Sequence, residues 1–213
     1  WMKMNLIFSN SKVNNILDEY TCALGLDISK NSTGVCLYQN GIMSLYKIHI
    51  ESKYDTSNSM WEAEMKQEFK GYLTKLVKGK EFDLVVVENT INGVNAVTNK
   101  ELTILNTVFD DLVIEGVCKV KKENLVRPTA VMWRKILKEL AGNISASNVK
   151  ELTEKLLLRL GYKFVIEHQD DTDKYKKDIG YYDICDSVGM LISYMYKKSS
   201  LYSKNEVVIE QSK

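Results

Sequence analysis

The chain has 213 residues, 45% of them hydrophobic, with Lys+Arg 29 against Asp+Glu 28 and a net charge of +1. That apolar content suffices for one buried core, and the near-neutral balance means that attraction to a polyanion must come from local clustering of charge. Composition alone therefore neither supports nor excludes nucleic acid as a partner. No apolar run approaches the roughly 20 residues of a membrane span, and the first residues lack a signal-peptide pattern, so a cytoplasmic protein without a membrane partner is expected. Cys22, Cys36, Cys118 and Cys185 show no CxxC spacing, and they read as small buried hydrophobes in a reducing compartment.

In chain order, residues 1–20 show no clean period and are expected to be an N-terminal extension whose Leu6, Ile7, Phe8, Val13 and Ile16 pack on the body or on a partner. One domain spans 21–197, and 198–213 form a C-terminal tail. Residues 22–28 are apolar and reach a carboxylate at Asp27. A polar turn follows, then Gly34 to Tyr38, then the hairpin signal Asn40-Gly41 leading into 42–50. This predicts an antiparallel meander of three strands. Trp61, Met65, Phe69, Leu73 and Leu76 recur at helical spacing over 60–78. Leu84-Val85-Val86-Val87 has the continuous β-branched character of a strand covered on both faces, and it runs into Glu88. A second helix carries Leu102, Leu105, Phe109 and Leu112, and either 117–120 or 125–126 supplies another strand. Helices follow over 131–140, after Pro128 and Thr129, and over 147–160. Charged residues 167–177 read as a mobile loop, and a last helix over 183–197 carries Ile184, Val188, Leu191 and Met195. The plan is α/β with a mixed five-stranded sheet, an antiparallel meander plus parallel strands, flanked by helices.

Asp27 and Glu88 thus end two strands, at the carboxyl edge where α/β sheets bind ligands. Two acids at adjacent strand ends repel unless a cation sits between them. Asp183 and Asp186, three residues apart at a predicted helix start, project from one helical face. Each has a plainer explanation: an Asx-turn at Asp27, a structural ion pair at Glu88, and favourable N-terminal charges at Asp183 and Asp186. Together they form an oxygen-only set suited to Mg²⁺, with Mn²⁺ substituting, and a pair of such ions suits in-line displacement at a phosphodiester.

The same motifs carry a resemblance. Leu24-Gly25-Leu26-Asp27-Ile28-Ser29-Lys30-Asn31-Ser32-Thr33-Gly34 resembles the first motif of RuvC-type Holliday junction resolvases, within the RNase H-like superfamily that includes retroviral integrases. Val85-Val86-Val87-Glu88-Asn89 resembles the second, Asn95-Ala96 with the following helix resembles the stretch after it, and Asp183-Ile184-Cys185-Asp186-Ser187 resembles the closing motif. The likeness covers 21–197. It implies an RNase H-like fold and a magnesium-dependent crossover junction endodeoxyribonuclease with two ions held by Asp27, Glu88, Asp183 and Asp186. It further implies that Lys150 stabilises the developing charge and that Arg134 or Lys135 holds the DNA backbone. Lys30, Asn89 and Asn95 are further candidate DNA contacts.

Where these proteins carry an aromatic after the glutamate, this chain has Ile91, and residues 142–148 lack their lysine. With the N-terminal extension, that style is similar to phage or viral relatives with wider tolerance for branched DNA, working in the host cytoplasm. A homodimer is expected because paired nicks on a two-fold junction need two sites, and the helix over 98–115 is the candidate interface. The competing expectations are an RNase H-like DNA-binding or scaffolding module without chemistry and an actin-like or sugar-kinase phosphotransferase. The last lacks its second phosphate loop.

Overall fold

The computed structural model describes residues 2–8, 14–29, 32–50, 59–89, 96–159, 162–166, 180–200 and 202. In chain order the elements are β1 (Met2–Phe8), α1 (Asn14–Leu17), β2 (Cys22–Asp27), β3 (Thr33–Gln39), β4 (Ile42–Ile48), α2 (Trp61–Val77), β5 (Glu81–Phe82) and β6 (Leu84–Val87). They continue with α3 (Ala96–Ile114), β7 (Lys119–Val120), a 3-10 turn, β8 (Leu125–Val126), α4 (Ala130–Ala141), α5 (Val149–Arg159), β9 (Tyr162–Ile166) and α6 (Gly180–Lys198).

The meander forms as its alternating and apolar stretches predict. β2, β3 and β4 pair antiparallel, and Asn40 and Gly41 turn the β3–β4 hairpin with φ of 47° and 86°. Two consecutive positive φ values give a twist that matches the flanking strands, which is why Asn-Gly is suited to this position. β6 lies parallel to β2, and β8 lies parallel to β6. The order β8-β6-β2-β3-β4 is the expected five-stranded mixed sheet. Both candidate segments after α3 are extended, but only β8 joins this sheet, because β7 pairs with β5 in a separate two-stranded ribbon.

Two further strands extend the sheet beyond β4. β1 pairs antiparallel with β4 on one side and with β9 on the other. The N-terminal segment, expected to lack a regular period, therefore supplies a strand. Met2, Met4, Leu6 and Phe8 do alternate with Lys3 and Asn5, and Ile7 obscures that period. β9 falls between the helix expected over 147–160 and the loop expected at 167–177, in a stretch with no expected element. The expected loop at 167–177 lies outside the described residues.

Strand alternation sends Leu24, Leu26, Val85 and Val87 to one face, where they pack with Phe69 and Leu73 of α2 and Leu105 and Phe109 of α3. Ala23 and Val86 point to the opposite face and pack with Trp133 and Leu137 of α4, Leu156 of α5, and Val188 and Leu191 of α6. The result is a three-layer arrangement with helices on both sides of the sheet. The apolar stripe of α3 is thereby buried inside the chain, leaving Asn99, Thr103, Thr107 and Ile114 exposed. All four cysteines are free and buried, and burial pushes the Cys22 and Cys118 thiols up to about 11. No helix among the described residues is long and apolar enough to cross a membrane.

Candidate active site

The parallel pairing of β2 with β6 sets the first two acids. Leu26 is in register with Val87, so Asp27 and Glu88 occupy the next position on neighbouring strands, whose axes lie about 4.8 Å apart. The Glu88 N–H donates to the Leu26 carbonyl at 3.0 Å, carrying the ladder one residue past the formal strand end. Both acids follow residues that point to the α2–α3 side, so alternation turns them toward α4 and α6. They are 9% and 8% exposed. Carboxylates so far from water are costly without a compensating charge or donor.

The third acid arrives from α6. An ideal Cβ on Gly25 would stand 2.5 Å from the Ser187 carbonyl oxygen and 3.0 Å from Leu191 Cβ. Only glycine allows the helix to sit this close to β2, and the contact seats α6 over the strand that ends in Asp27. Asp186, immediately before Ser187, is 9% exposed. α6 begins at Gly180, earlier than expected, so Asp183 closes the first turn and Asp186 lies in the second. Gly180 stands at the first position of the helix, and Tyr181 and Tyr182 do not break it, which allows the longer run. Asp186 therefore stands away from the helix terminus, which weakens its explanation as a favourable terminal charge. The side chain of Asp183 lies outside those described.

α4 supplies a feature that sequence reasoning missed. Trp133 is fully buried, and its indole N–H donates to Glu88 Oε1 at 3.2 Å. Next to it, Arg134 places its guanidinium 5.2 Å from the Trp133 ring centroid and 3.6 Å from Asp186 Oδ2. Adjacent residues of one helix thus reach the acid of β6 and an acid of α6. A signal existed in the sequence: a tryptophan on the apolar face of a helix needs an acceptor for its N–H. The matching acceptor is 45 residues distant and visible only in the fold.

The other candidates are spread more widely. Lys135 is exposed on α4, and Asn89 is half-buried with its N–H donating to the Pro128 carbonyl at 2.8 Å. Arg127, just before that proline and not one of the candidates, is committed to α3, with one guanidinium nitrogen 2.8 Å from each oxygen of Asp110. Lys150 is half-buried on α5, one turn ahead of Thr153. Thr153 in turn lies against α6, because a Cβ on Gly189 would be 2.8 Å from its Oγ1. Lys150 and Thr153 share one helical face, so Lys150 belongs to the side of α5 turned toward α6. Lys30 and Asn95 lie outside the described residues.

Among the described residues, no group of three or more His, Cys, Asp or Glu side chains stands close enough to share one ion. Asp27, Glu88 and Asp186 fit a hard divalent cation in donor chemistry, being three buried carboxylates, two at neighbouring strand ends and one on α6. The indole takes only Oε1 of Glu88, which leaves the second oxygen as a candidate ligand. Arg134 stands where a cation's charge would be felt by Asp186.

No family model matches the sequence, and no curated protein matches it. Among solved structures, the yeast mitochondrial Holliday junction resolvase Ydc2 is similar with a TM-score of 0.53, covering 88% of this chain and 85% of that one at 13% identity. Thermus thermophilus RuvC, in complex with a Holliday junction substrate, gives a TM-score of 0.48 over 84% of this chain and 95% of that one at 8% identity. A second structure of that protein gives 0.46 over 84% and 96% at 10% identity. The order β8-β6-β2-β3-β4 with helices on both faces, and the likeness to the yeast enzyme, show that this chain shares the fold of that enzyme.

Proposed function

We propose that the protein is a structure-selective endodeoxyribonuclease that resolves Holliday junctions or other branched DNA by paired, metal-dependent nicks leaving 5′-phosphates. The observation that carries this reading is the placement of Asp27 and Glu88 abreast at the ends of β2 and β6, buried and turned toward α6. In this reading Asp27, Glu88, Asp183 and Asp186 hold two Mg²⁺ ions, with Mn²⁺ able to substitute. When bound, such ions supply the Lewis acidity that activates water and neutralises a leaving 3′-oxygen. The chain's own residues orient and bind: Trp133 holds Glu88, Lys150 meets the scissile phosphate, and Lys135 and Arg134 hold the backbone on either side. Lys30, Asn89 and Asn95 are further DNA contacts in this reading. A homodimer would place two such sites on a two-fold junction. Because the apolar stripe of α3 is already buried, an interface through that helix would use its outer face around Thr103, Thr107 and Ile114.

The test is a cleavage panel of four-way junction, fork, flap and linear duplex with Mg²⁺ or Mn²⁺, run on the wild type and on Asp27→Asn and Glu88→Gln. Symmetric paired nicks in the junction, lost in both variants, support the proposal. Cutting that survives both substitutions sinks it.

One observation favours a second reading, a DNA-binding module without chemistry: Arg134 already neutralises Asp186 from 3.6 Å. That reading expects junction binding indifferent to Mg²⁺ and no nicking on any substrate in the panel.

A further inference from the structure

Trp133 is 0% exposed, and its polar atom has a single recorded destination, Glu88 Oε1. A buried indole needs an acceptor for its N–H, and here the acceptor is a carboxylate whose own burial beside the ring is costly. The ring itself has little freedom. Gly189 of α6 leaves a notch in which a Cβ would lie 3.3 Å from the Trp133 ring, with Thr153 filling the other side. The backbone N–H of Trp133 belongs to the first turn of α4, donating to the Thr129 carbonyl. The indole donor is therefore fixed by three helices, whereas a glutamate side chain at a strand end has three rotatable bonds. The rigid partner orients the flexible one.

We propose that Trp133 is a positioning residue for Glu88: its indole N–H holds one carboxylate oxygen so that the other is presented for metal ligation beside Asp27. This rests on the metal-dependent reading above and deepens it. Arg134, one residue on, reaches Asp186, so α4 sets the orientation of acids contributed by two other elements. A role confined to packing would need the ring and not the N–H, and the two are separable.

The experiment uses the full chain and Mn²⁺ or Mg²⁺ alone as the probe, without DNA. Mn²⁺ affinity is measured by calorimetry for the wild type and for Trp133→Phe, which keeps an aromatic ring and removes the donor. Loss of an outer partner that orients a ligand typically weakens a metal site about 10–100-fold, and that loss is the expected result. In parallel, the indole ¹⁵N–¹H signals of the wild type are followed during Mg²⁺ titration. The Trp133 signal should shift, while that of Trp61, buried on the opposite face of the sheet, should stay. Glu88→Gln keeps an oxygen acceptor for the indole but should abolish the shift. Equal Mn²⁺ affinity in Trp133→Phe and wild type overturns the assignment. So does a Trp133 signal that ignores Mg²⁺ in a protein that binds it, a result that stands even where the phenylalanine variant does not fold. A wild type that binds neither ion overturns the metal reading itself, and the two failures are thereby distinguished.

Discussion

Gly25→Ala places the smallest possible side chain at the contact on which the site's geometry depends. The new Cβ would lie 2.5 Å from the Ser187 carbonyl oxygen, where ordinary contact begins at 3.4 Å. The obstacle is backbone and cannot rotate away, so α6 has to retreat from β2 by about 1 Å or the strand has to bend, and overpacking of this kind costs roughly 1–3 kcal/mol. Asp186 precedes Ser187 and Asp27 follows Gly25 by two residues, so the retreat acts directly on the distance between these acids. In enzyme sites a misplacement of about 1 Å can cost around 10²-fold in rate. Urea unfolding and initial rates of junction nicking on the same preparation measure both effects. Gly71→Ala is the control, because a Cβ there meets nothing within 4 Å on helix α2 and should raise stability by roughly 0.5–1 kcal/mol without changing the rate. A folded Gly25→Ala protein with wild-type stability and wild-type nicking would refute the argument that this contact sets the site.

Asp27→Asn, Glu88→Gln and Asp186→Asn should each lower nicking by more than the roughly 10–100-fold that loss of an outer partner costs, with folding intact by circular dichroism; Asp186→Asn at full rate would remove α6 from the site. Chelation with EDTA should stop nicking, and Mn²⁺ added in excess should restore it, as followed by gel. At the far end of β2, Asp83 Oδ2 accepts hydrogen bonds from Thr21 N, Thr21 Oγ1 and Cys22 N at 2.6, 2.7 and 3.0 Å. Burial pushes the Asp83 carboxyl up, but these donors outweigh it and hold it below its ordinary value. Its contribution is thus complete above the unfolded pKa of about 3.9 and is lost as pH falls through the lower folded value. Asp83→Ala should cost about 1–3 kcal/mol near pH 7 in urea unfolding, with the gap to wild type closing below about pH 4. The four buried thiols should react with a disulfide reagent such as DTNB only on unfolding, and fast labelling of the native protein would contradict their burial.

Much of the fold is legible in the chain because its signals are local. Asn40-Gly41 marks the hairpin, the run from Leu84 to Val87 marks a doubly covered strand, and the spacing of Trp61, Met65, Phe69 and Leu73 marks α2. The positions of Asp27 and Glu88 at strand ends follow from the same patterns, although that they become neighbours depends on β2 pairing with β6 across some 60 residues. Sheet order and register are long-range properties, so the addition of β1 and β9 escaped local pattern. Trp133 shows the same limit at the site. Its helical spacing with Ile136 and Leu137 identifies a core face and says nothing of the carboxylate it meets. Arg134 likewise reads as a DNA contact from its charge, whereas its recorded partner is Asp186; a shared role would require that arginine to exchange partners.

The pairing of β1 with both β4 and β9 bears on how the protein is made and handled. Met4 is in register with Leu45 on one side and with Ile166 on the other. β1 is synthesised before β4 and must wait for it, and β9, which pairs with the other edge of β1, follows some 160 residues later in the chain. Trimming residues 2–8 to obtain a tidier domain would therefore do more than shorten the sheet. It would uncover the backbone donors and acceptors of β4, release β9 from its ladder, and leave an open edge inviting strands from other molecules, so that a shortened protein would be prone to aggregate during expression.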